Sequence, residues 1–357
     1  MEIEILRPRL MPPEMTARWT ALQRSRPELA SPFLSPHWPR AVERALEAPD
    51  CGVRIAVLRD NGASVGFMPV RIDKGSAAPA GAPLAPIEAL VAEPSVEMDP
   101  RALVRALGVG RLDFGRMFTQ AGPFAPFARS PRRAWIAEMS EGWGAYARSR
   151  RRDGGALLKR LAELRRHAER EVGPVKATTP SQSKGDFAQL FAFNRSRLHA
   201  LGMADGFEAR WPARLMRAAF AEPGDAFGGA LFTLHIGGEL AAAQFHLTGD
   251  GALHAWMVAH DARFEAFEPS RLLTCDILKW APGAGYDRVC MSGEDETAAR
   301  ELATMRVDLA GGFVGVRPAA TLVRRAAFGV REVFGRSPLA ALTALPVRAM
   351  RRYEFAR

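Results

Sequence analysis

The chain has 357 residues, of which 48% are hydrophobic and 25% charged, long enough for more than one core, so two domains are expected. No apolar run reaches the roughly 18 residues of a spanning helix, and the start Met1-Glu-Ile-Glu-Ile-Leu6 is unlike a signal peptide, so a cytoplasmic protein is expected. Cys51, Cys275 and Cys290 show no CxxC spacing, and His235, His246, His254 and His260 form no zinc pattern; neither a disulfide framework nor a metal cofactor is expected.

The net charge of +10 is concentrated. Residues 148–170 carry nine Arg or Lys against Asp153, Glu163 and Glu169, and residues 317–357 carry nine Arg against Glu332 and Glu354. The rest of the chain is slightly acidic, so the basicity belongs to one internal helix and the C-terminal tail. A solvated helix face accounts for the first, and nucleic acid is not the expected partner. The basic tail suggests peripheral contact with anionic lipid.

In chain order, Glu2 to Leu6 alternates like a strand. Helices are expected over 13–26 and 36–47, the second with Ser35 as N-cap and Pro36 at the first helical position. A hairpin follows, with arms 52–58 and 64–72 around Asn61-Gly62, a dipeptide that accepts the positive φ of a tight turn. Pro69 is expected to mark an edge or the end of pairing. Residues 73–86 read as a Pro, Gly and Ala loop, followed by a short helix near 99–107 and a strand from Arg111. Between the halves, Leu157, Leu161, Leu164, Ala168 and Val172 define a basic amphipathic helix over 153–172.

The second half repeats this order. Helices near 186–201 and 211–221 precede a hairpin, 230–236 and 239–248, turning at Gly237-Gly238. A third strand, 252–259, leads to a helix opening in Phe267-Glu-Pro-Ser-Arg271, then to the stop Gly283-Ala-Gly285 and a strand over 286–291. The offset between copies is near 176 residues, which reads as an internal repeat. The expected organisation is a first unit at 1–147, a connecting helix at 148–175, a second unit at 176–317 and a basic helical tail at 318–357, with helical patches at 319–334 and 338–352.

A helix start exposes unpaired N–H groups and the positive end of a dipole, which together suit an anion. Ser270 can cap or donate its hydroxyl, Arg271 can pair bidentately, and Arg263 lies in the preceding loop. Ordinary helices also begin with Pro-Ser, so the local residues leave both readings open.

The succession of hairpin, further strand, loop, helix and strand resembles the GNAT acetyltransferases. Within them, four segments resemble the CelD-like, cellulose-biosynthesis-associated acetyltransferases, which are related to Fem-type transferases. These are Arg150-Arg-Arg-Asp-Gly-Gly-Ala-Leu-Leu-Lys-Arg-Leu161, Glu268-Pro-Ser-Arg-Leu-Leu273, Gly285-Tyr-Asp-Arg-Val289 and Ser292-Gly-Glu-Asp-Glu296. The resemblance covers about residues 35 to 316. It implies an α/β (mixed α+β) fold of tandem GNAT-like acyl-CoA N-acyltransferase units, each a mixed, mostly antiparallel sheet flanked by helices.

It also implies acetyl-CoA or another acyl-CoA as co-substrate, with its pyrophosphate at Ser270, Arg271 and Arg263 and its pantetheine arm along Met257, Val258, Ala259 and His260. The acceptor would be an amine or hydroxyl on a small or sugar-linked molecule, in exopolysaccharide or cellulose biosynthesis. Candidates for the general base are Glu294, Asp295, His246 and Asp261, although Glu294-Asp295-Glu296 equally suits the first turn of a helix. Gln244 and His246 share a strand face that either meets the acceptor or is simply polar. Trp256 lines the cleft or belongs to the core. The paired-glycine pyrophosphate signature is missing, and Thr297-Ala298 stands where the family tends to place Tyr-Lys. Two alternatives therefore stay open: transfer from aminoacyl-tRNA, with the basic connector on the RNA, and a non-catalytic binding or scaffold protein.

Overall fold

The computed structural model describes residues 1–316 except 49, 121, 153–155, 222–223, 225 and 292–295. The expected tail at 318–357 and the candidate bases Glu294 and Asp295 lie outside the described residues.

The described strands are β1 (Glu2–Leu6), β2 (Val53–Asp60), β3 (Ala63–Asp73), β4 (Ser76–Pro79), β5 (Val91–Ala92), β6 (Arg111–Phe118), β7 (Ala128–Glu138), β8 (Val175–Ser181), β9 (Gly228–Ile236), β10 (Glu239–Gly249), β11 (Ala252–His260), β12 (Arg288–Met291) and β13 (Met305–Gly315). The helices are α1 (Pro13–Arg24), α2 (His37–Leu46), α3 (Pro100–Ala106), α4 (Gly142–Arg152), α5 (Ala156–Glu171), α6 (Lys184–Ala200), α7 (Arg210–Ala221), α8 (Pro269–Trp280) and α9 (Glu296–Leu302). The strands form one mixed sheet in the order β1-β2-β3-β4-β6-β13-β7-β12-β11-β10-β9-β8, with β5 against β3.

The order reads alike outward from the central antiparallel pair β7·β13. Each side meets a strand, β6 or β12, then that strand's parallel partner, β4 or β11. Two antiparallel strands and an edge strand follow. Because β13 lies against β6 and β7 against β12, each half of the chain sends its last strand into the other half. One core accordingly joins residues of both, among them Val57 and Phe67 with Phe245 and Leu247.

Helices cover both faces. On one, α1, α2, α6 and α7 bury Trp19, Trp38 and Phe245; Phe187 stacks on Phe220 at 4.6 Å between ring centroids and meets Phe245 edge-on at 5.5 Å. On the other, α5, α8 and α9 cover Phe232, Leu234, Leu253 and Val289, while Leu103 and Val104 of α3 pack with Leu58, Met68 and Val70. Each such side chain contributes about 1.5–3 kcal/mol by leaving water.

The Asn61-Gly62 turn forms as the dipeptide requires, with φ of 47° and 82°, and joins β2 to β3. Two local expectations need correction, while the end of pairing expected at Pro69 is met on the β4 side. Ser35 does not cap α2; its hydroxyl donates back to the Pro32 carbonyl at 2.8 Å, and the helix begins at His37. The expected loop at 73–86 contains β4. Pro69 lies inside β3, opposite Ile55, where β4 reaches only to Val70 and β5 only to Phe67, so its missing N–H faces a gap between two partners. The basic helix expected over 153–172 corresponds to α5, with Leu161 and Ala168 buried.

Glu88 fills a special place beside β6. Its N–H donates to the Arg116 carbonyl at 3.0 Å, its carbonyl accepts from Phe118 N–H at 2.7 Å, and its Oε2 accepts the successive N–H groups of Gly115 and Arg116 at 2.9 and 3.0 Å. Those two N–H groups belong to a bulge, where β6 has two residues against one in β13. Burial raises the Glu88 carboxyl from its ordinary 4.5 to about 7, against the pull of those N–H groups. The folded state thus prefers the proton. That stabilisation is complete below pH 4.5 and is lost as pH rises through 7, an effect of up to about 3 kcal/mol. Glu88→Gln is expected to flatten this decline, so that urea midpoints of the variant change less than those of the parent between pH 5 and 8.

Candidate functional site

Two neighbouring strands part company here. β11 and β12 run parallel and pair only through Ala252–His254 and Arg288–Cys290, after which β11 continues to His260. Among the described residues, no strand pairs with β11 beyond His254 on that side. The same stretch carries a bulge. Phe245 faces Met257 and His246 faces Ala255, so Trp256 is an extra residue in β11, and the strand bends at the fork. Open backbone N–H and C=O groups on such an edge can bind an extended amide-bearing chain as a further strand would.

The edge leads straight to a helix start. A 3-10 segment, Ala262–Phe267, follows β11, and Glu268 in the left-handed region (φ 50°, ψ 51°) reverses the chain into α8. Pro269 has no N–H, and the N–H groups of Arg271 and Leu272 donate to the Glu268 carbonyl at 3.0 and 3.1 Å, which leaves that of Ser270 in the first turn. The Glu268 carboxylate pairs with Arg271 at 2.8 Å and with Arg160 of α5. Arg165 of α5 likewise pairs with Asp276 of α8. Two guanidinium groups and a helix start suit a pyrophosphate, with Glu268 as their resident counter-ion, so the donor set fits the phosphates of an acyl-CoA.

The expected residues separate into distinct groups. Met257 and Ala259 are buried and Val258 and His260 half-buried on the open strand, and His260 Nδ1 shares a 3.0 Å hydrogen bond with Ser270 Oγ. Burial lowers the His260 pKa. Arg263 is exposed and held by Asp261 and Glu239, each at 2.7 Å, which turns it to the carboxylates of its own loop and of β10. Asp261 caps the 3-10 segment through Arg263 N–H.

Gln244 and His246 do share a face, and that face lies beneath α8. Gln244 Nε2 donates to the Ser270 carbonyl at 2.9 Å and to Thr274 Oγ1 at 2.8 Å, and its Oε1 accepts from His246 Nε2 at 3.0 Å. Each side chain is 1% exposed. Burial drives His246 down to about 3, so the ring is neutral at ordinary pH and a weak base. The pair fastens the first turn of α8 to β10. Trp256 belongs to the core: its indole N–H donates to the Leu84 carbonyl at 3.2 Å among Phe33, Trp38 and Phe207.

Other contributors had no local signature. Arg160 and Thr274 reach α8 from distant or unremarked positions. On the opposite face, Ser31 Oγ lies 2.8 Å from His254 Nδ1, and the Cys290 thiol donates to the Ala30 carbonyl at 3.5 Å, so residues of the first half sit on the fork itself. A cavity of about 470 Å³ opens elsewhere, at the start of α3, lined by Asp99, Arg101, Phe127 and Arg129. Asp99 is already the N-cap of that short helix, and the cavity has no contact with the fork, so the fork is the candidate site.

Comparison with known proteins bears on the same residues. The acetyltransferase (GNAT) domain family matches residues 148–300, which span the connector, the fork and α8. No curated protein matches the sequence. The fold is similar to that of FemX, with a TM-score of 0.53 and 12% identity over 91% of this chain and 99% of that one. It is also similar to a conserved protein of unknown function from Bacteroides thetaiotaomicron (TM-score 0.52, 12% identity, 87% and 100% covered). A third similar structure is the C-terminal domain of a lysylphosphatidylglycerol synthetase, described as such provisionally, from Agrobacterium fabrum (TM-score 0.50, 12% identity, 89% and 96% covered). Residues 148–300, with the fork and α8 they contain, match the acetyltransferase (GNAT) domain family, and the fold of the chain is similar to that of FemX.

Proposed function

We propose that the protein is an acyl-CoA-dependent acyltransferase, an acetyltransferase in the simplest case, acting on an amine or hydroxyl of a small or sugar-linked acceptor. The observation that carries this reading is the β11·β12 fork opening directly onto the start of α8, within the span of the GNAT match. An acyl-CoA supplies an activated thioester carbonyl, and the chain binds and orients it. Backbone of Met257–His260 holds the arm, and Ser270, Arg271 and Arg160 hold phosphate. Gln244 and His246 act through α8, as positioning residues. The general base is assigned to Glu294, Asp295 or Asp261, since His246 is neutral and enclosed. Holding the nucleophile against the thioester in a dry fork supplies much of the acceleration.

The sheet order supports tandem units at 1–147 and 176–317, joined by the connector at 148–175 and followed by the tail at 318–357. β3 and β10 begin at Ala63 and Glu239, and β4 and β11 at Ser76 and Ala252, each pair 176 residues apart. Membership of the CelD-like group, a place in exopolysaccharide or cellulose biosynthesis and a cytoplasmic location belong to the same reading. No described helix is long and apolar enough to cross a membrane.

Calorimetric titration with CoA and acetyl-CoA at moderate salt is the test. Saturable one-site binding is expected; its absence would remove the acyl-CoA reading. The exposed arginines of α4 and α5 favour aminoacyl-tRNA as the second donor to try, recognised by salt-sensitive tRNA binding, although Arg160 and Arg165 are engaged by α8.

A further inference from the structure

The turn between α6 and α7 lies over the open stretch of β11. The Phe207 ring stands 5.8 Å from that of Trp256, the extra residue at the fork. Asn194 is 4% exposed on α6, whose Leu190 and Phe193 share a core with Met257 and Ala259 of β11. Its Nδ2 donates to Asp205 Oδ1 at 3.3 Å. Arg197, three residues further along α6, is near enough to His260 to add to the lowering of its pKa by burial. Asp205 is thus held alongside the open strand between Trp256 and His260, on the sheet face opposite α8.

Only part of this carboxylate is used by the loop. Oδ1 also accepts the Phe207 N–H at 2.9 Å, which opens the short 3-10 turn Gly206–Glu208. Among the described residues, Oδ2 accepts no hydrogen bond and Asp205 forms no salt bridge. Burial raises the Asp205 pKa against the pull of the Phe207 N–H, and Glu208 adds to the rise while Arg195 opposes it. A half-buried carboxylate in such surroundings gains from a cation supplied from outside. The rest of the loop is apolar: Leu201 and Met203 are 57% and 45% exposed, and Ala204, Gly206 and Phe207 complete the run. Large apolar side chains left at the surface of one loop offer contact to apolar ligand atoms.

We propose that the acceptor is a primary amine carried on an apolar chain, that Asp205 receives it as the ammonium, and that Leu201 and Met203 take up the chain. The inference rests on the acyl-transfer reading, within which it selects an amine over a hydroxyl. The CoA phosphates then lie at the start of α8 and the amine arrives on the opposite face of the sheet, so donor and acceptor meet at the fork without sharing a path. In the transfer, the ammonium gives one proton to the general base, nitrogen replaces sulfur at the carbonyl carbon, and CoA leaves as the thiol with a second proton from nitrogen. Asp205 selects and orients the amine.

The test is calorimetric titration with n-butylamine, n-hexylamine and 1-hexanol, with CoA saturating its own site. The parent is compared with Asp205→Asn, which keeps an oxygen for the Phe207 N–H but loses the charge, and with Leu201→Ser/Met203→Ser. The parent is expected to bind hexylamine roughly tenfold tighter than hexanol, as a charge-assisted hydrogen bond provides. It is expected to bind hexylamine about tenfold tighter than butylamine, at about threefold for each methylene buried. Asp205→Asn should lose the preference for the amine, and the serine variant should keep it while its chain preference falls to about threefold or less. Urea midpoints of both variants should match the parent, and CoA affinities should stay within about twofold. Equal hexylamine affinity in the parent and Asp205→Asn, no hexylamine binding by the parent, or an unchanged chain preference in the serine variant each overturns the proposal. Hexylamine binding that is lost in Asp205→Asn, in a protein that does not bind CoA, supports the amine site and overturns the acyl-CoA reading, so the two failures are distinct.

Discussion

Ser270→Asp is expected to weaken CoA binding by tenfold or more, a loss of about 1.4 kcal/mol or greater. Among the backbone donors of the first turn of α8, the N–H of this residue is the one left for an anion, because Pro269 has no N–H and the next two N–H groups are already given to the Glu268 carbonyl. A carboxylate at position 270 would face Glu268 and any incoming pyrophosphate together. The fold should survive, since an acid at a helix N-terminus stabilises it by roughly 0.3–1 kcal/mol. Ser270→Ala, which loses only the hydrogen bond to His260, serves as the control, with a change of about twofold to fivefold. The measurement is calorimetric titration with CoA. Unchanged affinity in Ser270→Asp would take α8 out of the proposed site.

Trp256→Ala is expected to cost about 3–5 kcal/mol of stability, read as a lower urea midpoint. Trp256 is the extra residue of the β11 bulge, yet its ring lies in the core among Phe33 and Trp38 of the first half and Phe207 of the second, at 5.5 to 5.8 Å between centroids. Its removal leaves a cavity, orphans the Leu84 carbonyl and takes away the packing that holds the fork in its bent form. Because this core joins both halves, one shifted cooperative transition is expected rather than the loss of one half alone. Trp256→Phe, which keeps the ring but not the N–H, should recover most of the difference. A midpoint unchanged in Trp256→Ala would show that the ring does not carry the junction.

These effects concern features of differing legibility. The hairpins were readable because Asn61-Gly62 and Gly237-Gly238 supply positive φ between alternating arms, and α8 because Pro-Ser precedes a helical apolar pattern. β7 and β8 have no strand signature of their own, because Arg, Lys, Thr and Pro break the alternation; their pairing comes from neighbours rather than from their own residues. In the candidate site, the residues of β11 and the start of α8 were legible as a strand leading into a helix. The partners of Glu268 were not, since Arg160 lies 108 residues away and a basic helix gives no sign of which arginine will be drawn inward.

The sequence by itself determined the hairpins, most of the helices and the concentration of positive charge. Those depend on turn chemistry, on side-chain period and on composition, all of which act over a few residues. Only the tertiary structure decided that β7 and β13 cross to the opposite halves, that Gln244 and His246 lie beneath α8, and that Ala30 and Ser31 of the first half meet the fork at Cys290 and His254. A period of two tells which face of a strand is buried but carries no information about which strand lies next to it, and that choice is made by the packing of the whole sheet.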